Sequence, residues 1–261
     1  MSEAPQDEIE RELDAMDKAI ASAPTAPQGS IDWLKERIGC CTASRFKDVM
    51  NFLKSGKPSQ KRIDYAEELV IERVTGQPFE HYVSGAMENG IELEPRAKMA
   101  YEARTGVMLV SCGFVHHKTI KYCGGSPDSR IGTKGGAEFK CPTPITHYET
   151  LINGMHDDHK PQVNGHIWLF DADWWDFVSY CPIFPPPLDL YIQRVMRSDD
   201  YLAELAGNVL AFLAEVDAME QKLRAIAKES VADAATSDGP EAVLASQTSA
   251  ADLAFDIATQ S

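Results

Sequence analysis

The chain has 261 residues and a mass of 28.8 kDa, enough for one large domain with appendages rather than two generous ones. Hydrophobic residues make up 44% and charged residues 25%, an ordinary soluble composition that excludes wholesale disorder, collagen and coiled-coil fibres. The formal net charge of −15 argues at first against a nucleic-acid ligand, because affinity for phosphates rests on concentrated Lys and Arg.

Position changes that inference. Residues 1–29 hold seven acids against two bases and residues 229–261 hold six acids and no base, so the tails carry −5 and −6 and residues 30–228 only −4. Within 6–21, Ile9, Leu13, Met16 and Ile20 form one apolar stripe on an acidic helix, and a Pro/Gly/Ser-rich linker over 23–30 separates it from the body. In the body, 42–50 reads as a short helix capped by Thr42 or Ser44, 54–59 as a loop, 61–75 as a helix ending near Gly76, and 90–104 as a helix that must accommodate Pro95. The period then shortens. Segments 107–115, 121–126, 137–141, 174–181 and 188–196 read as strands, with a helix over 161–170 between the third and fourth. A closing helix over 199–228 places Leu202, Leu205, Val209, Leu210, Leu213 and Val216 on its inner face, and 229–261 reads as a disordered acidic tail. The expected fold is α/β or α+β, a central mixed sheet flanked by helices.

Six cysteines without C-x-x-C spacing, and no signal peptide ahead of them, point to reduced thiols and a cytoplasmic protein. No apolar run approaches a membrane span. His116-His117 and His156-Asp-Asp-His159 invite a metal reading, but consecutive residues point apart on most backbones, so loop polarity accounts for them better. Trp168, Trp174 and Trp175 read as packing residues, Tyr82 as a weak candidate for base stacking, and Cys141 as a thiol whose pKa Lys140 could lower.

The chemistry concentrates between the second and third strands. Ser126-Pro127-Asp128 is followed by a Gly-rich turn over 132–136 and then by Glu138-Phe139-Lys140. On a strand Glu138 and Lys140 share a face, and a hairpin through the turn brings Asp128 beside them. Two carboxylates with the Phe139 backbone carbonyl make a hard oxygen site of the kind Mg²⁺ prefers, with Mn²⁺ able to substitute. An adjacent lysine can orient or help deprotonate a water for attack on a phosphodiester. Spacing alone proves little: Glu220-Gln221-Lys222 repeats it on a helix, and a turn-forming Asp128 beside a solvated Glu138–Lys140 pair would show the same residues.

The ordered set carries more. Cys123-Gly-Gly-Ser-Pro-Asp128 followed by Glu138-Phe-Lys-Cys-Pro142 resembles the core of the lambda exonuclease family, the YqaJ-type viral recombinase nucleases. The resemblance runs over about residues 31–205. It implies a restriction-endonuclease-like core with Asp128, Glu138 and Lys140 catalytic. Arg37-Ile-Gly-Cys-Cys-Thr-Ala-Ser44 resembles a block implying that Arg37 and Ser44 contact a DNA 5′ phosphate. Glu94, in Gly90-Ile-Glu-Leu-Glu94-Pro, resembles a further metal-site carboxylate, and Gln162 a glutamine near the scissile bond; the flanking Asn164, Gly165 and His166 depart from the pattern. The family further implies 5′-to-3′ exonuclease action on double-stranded DNA ends, 5′-mononucleotide products, a homotrimer, a single-strand annealing partner and a bacterial host or prophage source. An endonuclease, or a scaffold that binds ends without turnover, are the alternatives. Arg45, Lys47, Lys54, Lys57, Lys61 and Arg62 face only Asp48, a local +5 that suits a phosphate track.

Overall fold

The computed structural model describes Ala26, residues 28–79 and residues 85–237, the side chains of 85–91 and 231–237 excepted. The expected helix over 6–21, Tyr82 and the chain beyond Ser237 lie outside the described residues.

A short helix, α1 (Ile31–Glu36), is capped by Ser30, whose hydroxyl accepts from the Trp33 N–H. Strand β1 (Cys41–Thr42) leads into a 3₁₀ turn (Ala43–Arg45) and α2 (Phe46–Val49). The expected cap by Thr42 or Ser44 is not formed: neither helix start receives a side-chain cap, and the two hydroxyls lie 3.2 Å from each other instead. Helix α3 (Gln60–Thr75) starts at Ser59, which accepts from the Arg62 N–H, and stops at Gly76, whose φ of 68° is the left-handed conformation that glycine adopts without strain. Helix α4 (Gly85–Thr105) is longer than 90–104 and carries Pro95 in its interior.

Two sheets follow. In the first, β3 (Cys123–Gly125) runs parallel to β1 and antiparallel to β2 (Val115–His116). In the second, β4 (Ser129–Ile131) and β5 (Gly135–Lys140) form a hairpin, β5 runs parallel to β6 (Trp174–Tyr180), and β6 runs antiparallel to β7 (Leu190–Met196). A parallel pair needs a crossover, which α5 (Pro144–Asn153) and α6 (Lys160–Phe170) supply. The turn is confined to 132–134; Gly135 and Gly136 belong to β5, where a Cβ would collide with the indoles of Trp174 and Trp175. Of the expected strand over 107–115 only its last residue falls in β2, with one bridge from Val110 to Arg130.

The pleat sorts the core. Ala137, Phe139, Val178 and Tyr180 face Ala97 and Tyr101 of α4, while Trp175 and Phe177 face Val163 and Ile167 of α6 and Leu202. Helix α7 (Asp199–Ser237) runs past the expected end near 228. Its buried stripe is Leu202, Leu205, Val209, Phe212, Leu213 and Val216; Leu210 falls on the outer side and is 50% exposed. The compact body closes at Val216, and the described residues from Asp217 to Ser237 belong to a second unit.

Candidate active site

The β4–β5 hairpin pairs Ser129 with Ala137, which delivers the turn residue Asp128 to the start of the Glu138-Phe139-Lys140 run. Asp128 Oδ2 accepts the Phe139 N–H at 2.7 Å. While Phe139 packs edge-on against Tyr101 in the core, Glu138 and Lys140 turn to the opposite face. There Lys140 Nζ donates to Glu138 Oε1 at 2.7 Å, and Gln162 Nε2 on α6 donates to the same oxygen at 2.6 Å. Glu94 on α4 pairs with Lys98 at 2.7 Å, and Lys98 also donates to the Asp128 carbonyl at 2.8 Å, tying α4 to the turn.

These residues line a cleft of about 550 Å³ that also reaches Arg37 and Ser44. Arg37, the C-cap residue of α1, stacks over the Trp33 ring at 4.3 Å, and the Trp33 indole N–H donates to Ser126 Oγ at 2.8 Å, so α1 is pinned to the Ser126-Pro127-Asp128 turn. Among the described residues Arg37 forms no ion pair with a carboxylate, which leaves its guanidinium to the cleft. Thus Arg37, Ser44, Glu94, Asp128, Glu138, Phe139, Lys140 and Gln162 all meet in one place.

The charges are in tension. Burial and the neighbouring Glu138 push the Asp128 carboxyl well above the usual carboxylate range, against the pull of Lys140. Burial also opposes ionisation of Glu138, but Lys140 and His166 outweigh it and hold that carboxyl low. Burial disfavours the Lys140 ammonium, yet Glu138 and Asp128 keep it protonated beyond the usual lysine range. Asp176, on the adjacent strand, shows how this fold settles a buried carboxylate when it is structural: Arg194 binds both its oxygens at 2.9 Å and Tyr101 donates at 2.7 Å. Glu138 instead keeps a buried Oε2 with no hydrogen-bond partner.

That orphaned oxygen beside a second carboxylate fits a hard divalent cation. Among the described residues no group of three or more His, Cys, Asp or Glu side chains is assembled as a metal cage. Mg²⁺ does not require one, since it binds through one or two carboxylates and retains several waters. Asp128, Glu138 and the Phe139 carbonyl are the donors suited to it, with Glu94 close by on the cleft wall.

The basic run separates into two groups. Lys47, Lys54, Lys57 and Lys61 are exposed. Arg45 is held by Asp48 at 2.5 Å and Glu68 at 2.9 Å, and Arg62, 2% exposed, binds the Val49 carbonyl and Glu215, so both arginines are committed to the fold. None of the six lines the cleft. His156 caps the 3₁₀ turn Asp157–His159 by accepting from the Asp158 N–H, and His117 accepts from the Thr119 and Ile120 N–H groups, both loop-ordering roles. All six cysteines are free thiols, and burial together with Glu94 and Asp128 pushes Cys141 up to about 12, opposite to the lowering expected from Lys140. Sequence reasoning missed Ser179 in the lining and His166 behind Glu138, and it set aside as loop polarity His159, which lines the cleft and stacks on Phe177. Their pairings arise between distant elements and leave no local pattern.

Residues 32–169 match the family model for the YqaJ-like viral recombinase domain, as the ordered blocks imply. The crystal structure of an alkaline exonuclease (LHK-Exo) from Laribacter hongkongensis is 34% identical, with a TM-score of 0.71 over 77% of this chain and 99% of that one. LHK-Exo in complex with dAMP aligns equally. A phage related exonuclease from Haemophilus somnus 129PT, at 15% identity and a TM-score of 0.59 over 70% of this chain and 96% of that one, shares the fold. No curated protein matches the chain. The expected restriction-endonuclease-like α/β core is the fold observed, and among the described residues no helix is long and apolar enough to cross a membrane.

Proposed function

The chain belongs to the YqaJ-like viral recombinase family, and from that premise we propose that it is a Mg²⁺-dependent exonuclease that digests double-stranded DNA from its ends. The reading rests on one observation: Asp128, Glu138 and Lys140 share a cleft with Arg37 and Ser44. Bound Mg²⁺ would supply Lewis acidity toward the scissile phosphate. Lys140, kept as an ammonium by its carboxylate neighbours, orients the attacking water and offsets the charge that develops on the phosphoryl oxygens. Gln162, fixed on Glu138, presents its remaining amide groups to water or phosphate. Arg37 offers a planar fork that grips a terminal phosphate through two hydrogen bonds, with Ser44 beside it in the same lining.

Digestion in the 5′-to-3′ direction follows from the assignment of Arg37 and Ser44 to a 5′ phosphate. A relative crystallised with dAMP supports mononucleotide products. The single strand left with a 3′ end is the substrate of a single-strand annealing protein, the proposed partner in recombination. Ile145, Tyr148 and Ile152 on α5 and Ile183 and Leu188 beside it are exposed apolar side chains, which supports a homo-oligomer, proposed as a trimer.

The deciding assay uses blunt linear duplex with and without a 5′ phosphate, in Mg²⁺ or EDTA. Metal-dependent release of mononucleotides, faster from the phosphorylated end, is expected; no metal-dependent release sinks the proposal. Cutting of a closed circular duplex would redirect it to an endonuclease, and a monomer by light scattering would remove the trimer.

A further inference from the structure

His166 is 1% exposed on α6, one turn beyond Gln162. Its Nε2 lies 3.2 Å from Glu138 Oε2, although the two are not aligned as a hydrogen bond: neither atom, nor His166 Nδ1, has a hydrogen-bond partner. A buried imidazole with both nitrogens unsatisfied costs stability, and a core position stacked on Trp175 at 5.3 Å would be served as well by an apolar ring. On its other side the ring lies close to Gly125, where an added Cβ would come to 3.4 Å from His166 Cε1. The packing therefore places Nε2 beside one oxygen, while Lys140 and Gln162 both hold the other.

We infer that His166 is a positioning residue for the reaction: while Lys140 and Gln162 hold Oε1, its ring backs Oε2 at 3.2 Å, and together they set the carboxylate plane in which Glu138 binds the divalent cation. The inference rests on the proposed metal-dependent activity and extends it to a side chain that touches neither DNA nor cation. Residues behind a metal ligand commonly contribute about 10–100-fold in metal affinity or activity.

The test compares wild type with His166→Phe, which keeps a stacked ring and removes both nitrogens, and His166→Leu, in case the phenyl group does not fit. Mn²⁺ binding to the DNA-free protein, followed by calorimetry or spin resonance, should weaken about 10-fold in the variants. At saturating DNA kcat should fall by a similar factor with KM for DNA within about two-fold, and excess Mn²⁺ should restore part of kcat. In EDTA the variants should melt within a few degrees of wild type, because removal of two unsatisfied nitrogens offsets the lost contact with Glu138. Wild-type Mn²⁺ affinity and kcat in either folded variant would overturn the inference and leave the nuclease reading intact, and failure of both to fold would assign His166 to packing alone. A wild-type protein that neither binds Mn²⁺ nor digests DNA would remove the nuclease reading together with this inference.

Discussion

The sequence Glu-x-Lys occurs twice in this chain, and the two copies behave differently. In β5, where side chains repeat every two residues, Glu138 and Lys140 lie on one face and meet at 2.7 Å beside the Asp128 carboxylate. In α7, two residues correspond to more than half a turn, so Glu220 and Lys222 point apart, and Glu220 pairs with Arg224 one turn on, at 2.9 Å. Identical spacing gives a charged cleft on one backbone and an ordinary pairing one turn apart on the other. Backbone period, together with what the facing elements deliver, converts spacing into chemistry.

The largest effect that could break this contrast is catalytic. Lys140→Ala and Glu138→Ala should each lower nucleotide release by about 10³-fold, the range of a lost electrostatic or proton-handling group, while DNA binding persists. Lys222→Ala and Glu220→Ala should leave the rate within about two-fold, since both lie on α7 and neither lines the cleft. A wild-type rate for Lys140→Ala, measured with matched protein in one assay, would remove Lys140 from its assigned role.

The same contrast explains what could be read from the sequence. Helices α3 and α6 have start and stop signals at Ser59, Gly76 and Pro161, and their expected bounds lie within a residue or two of those observed. Helix α5 was not read although Ile145, Tyr148 and Ile152 recur at helical spacing behind a Thr143 cap, because that stripe faces outward while the buried side carries the polar His147 and Thr150. Strands β1 and β4 are too short, at two and three residues, to show a period. The meeting of Asp128 with Glu138 was legible because a hairpin is local. That Arg62 is buried was not, because Glu215 lies far along the chain and only tertiary structure brings it close.

Arg62 carries the next prediction. It and the exposed Lys54 and Lys57 count equally toward the local +5, yet only Arg62 is bonded inside the body. Arg62→Ala should cost about 2–3 kcal/mol, less than a fully buried pair because Glu215 is half exposed. That corresponds to a fall in Tm on the order of 5–10 °C. Lys54→Ala with Lys57→Ala should melt like wild type and flatten the salt dependence of DNA binding by up to about 1.8 in log–log slope if both contact phosphates. An Arg62→Ala variant of normal Tm would place that guanidinium among the surface charges.

A smaller shift, of opposite sign, is expected at Asp128. Its carboxyl is forced beside Glu138, whereas Asp176 next door has its own arginine. Asp128→Asn can keep the oxygen that accepts from Phe139 while removing one like charge, so in EDTA the variant should melt about 2–4 °C above wild type, equivalent to roughly 1 kcal/mol. Added Mg²⁺ should raise wild type and not the variant, because only a site that binds the ion in the folded state gains from it. Equal Mg²⁺-induced shifts in both proteins would show that Asp128 is not a ligand.

The smallest effect separates a neighbour of the charged cleft from a participant in it. Cys141 follows Lys140 directly and lines the cleft, but burial and the two carboxylates Glu94 and Asp128 raise its pKa to about 12, so the thiol stays protonated at neutral pH and lacks the thiolate that nucleophilic chemistry requires. Cys141→Ser should retain activity within about two-fold, since a hydroxyl of similar size occupies the same half-buried position and no proton or charge is lost. Alkylation of Cys141 by iodoacetamide should be slow at pH 7 and accelerate only in strong alkali, as read by mass spectrometry. Rapid modification at pH 7, with activity lost in step and the serine variant inactive, would make the thiol part of the chemistry and leave Lys140 as its activator.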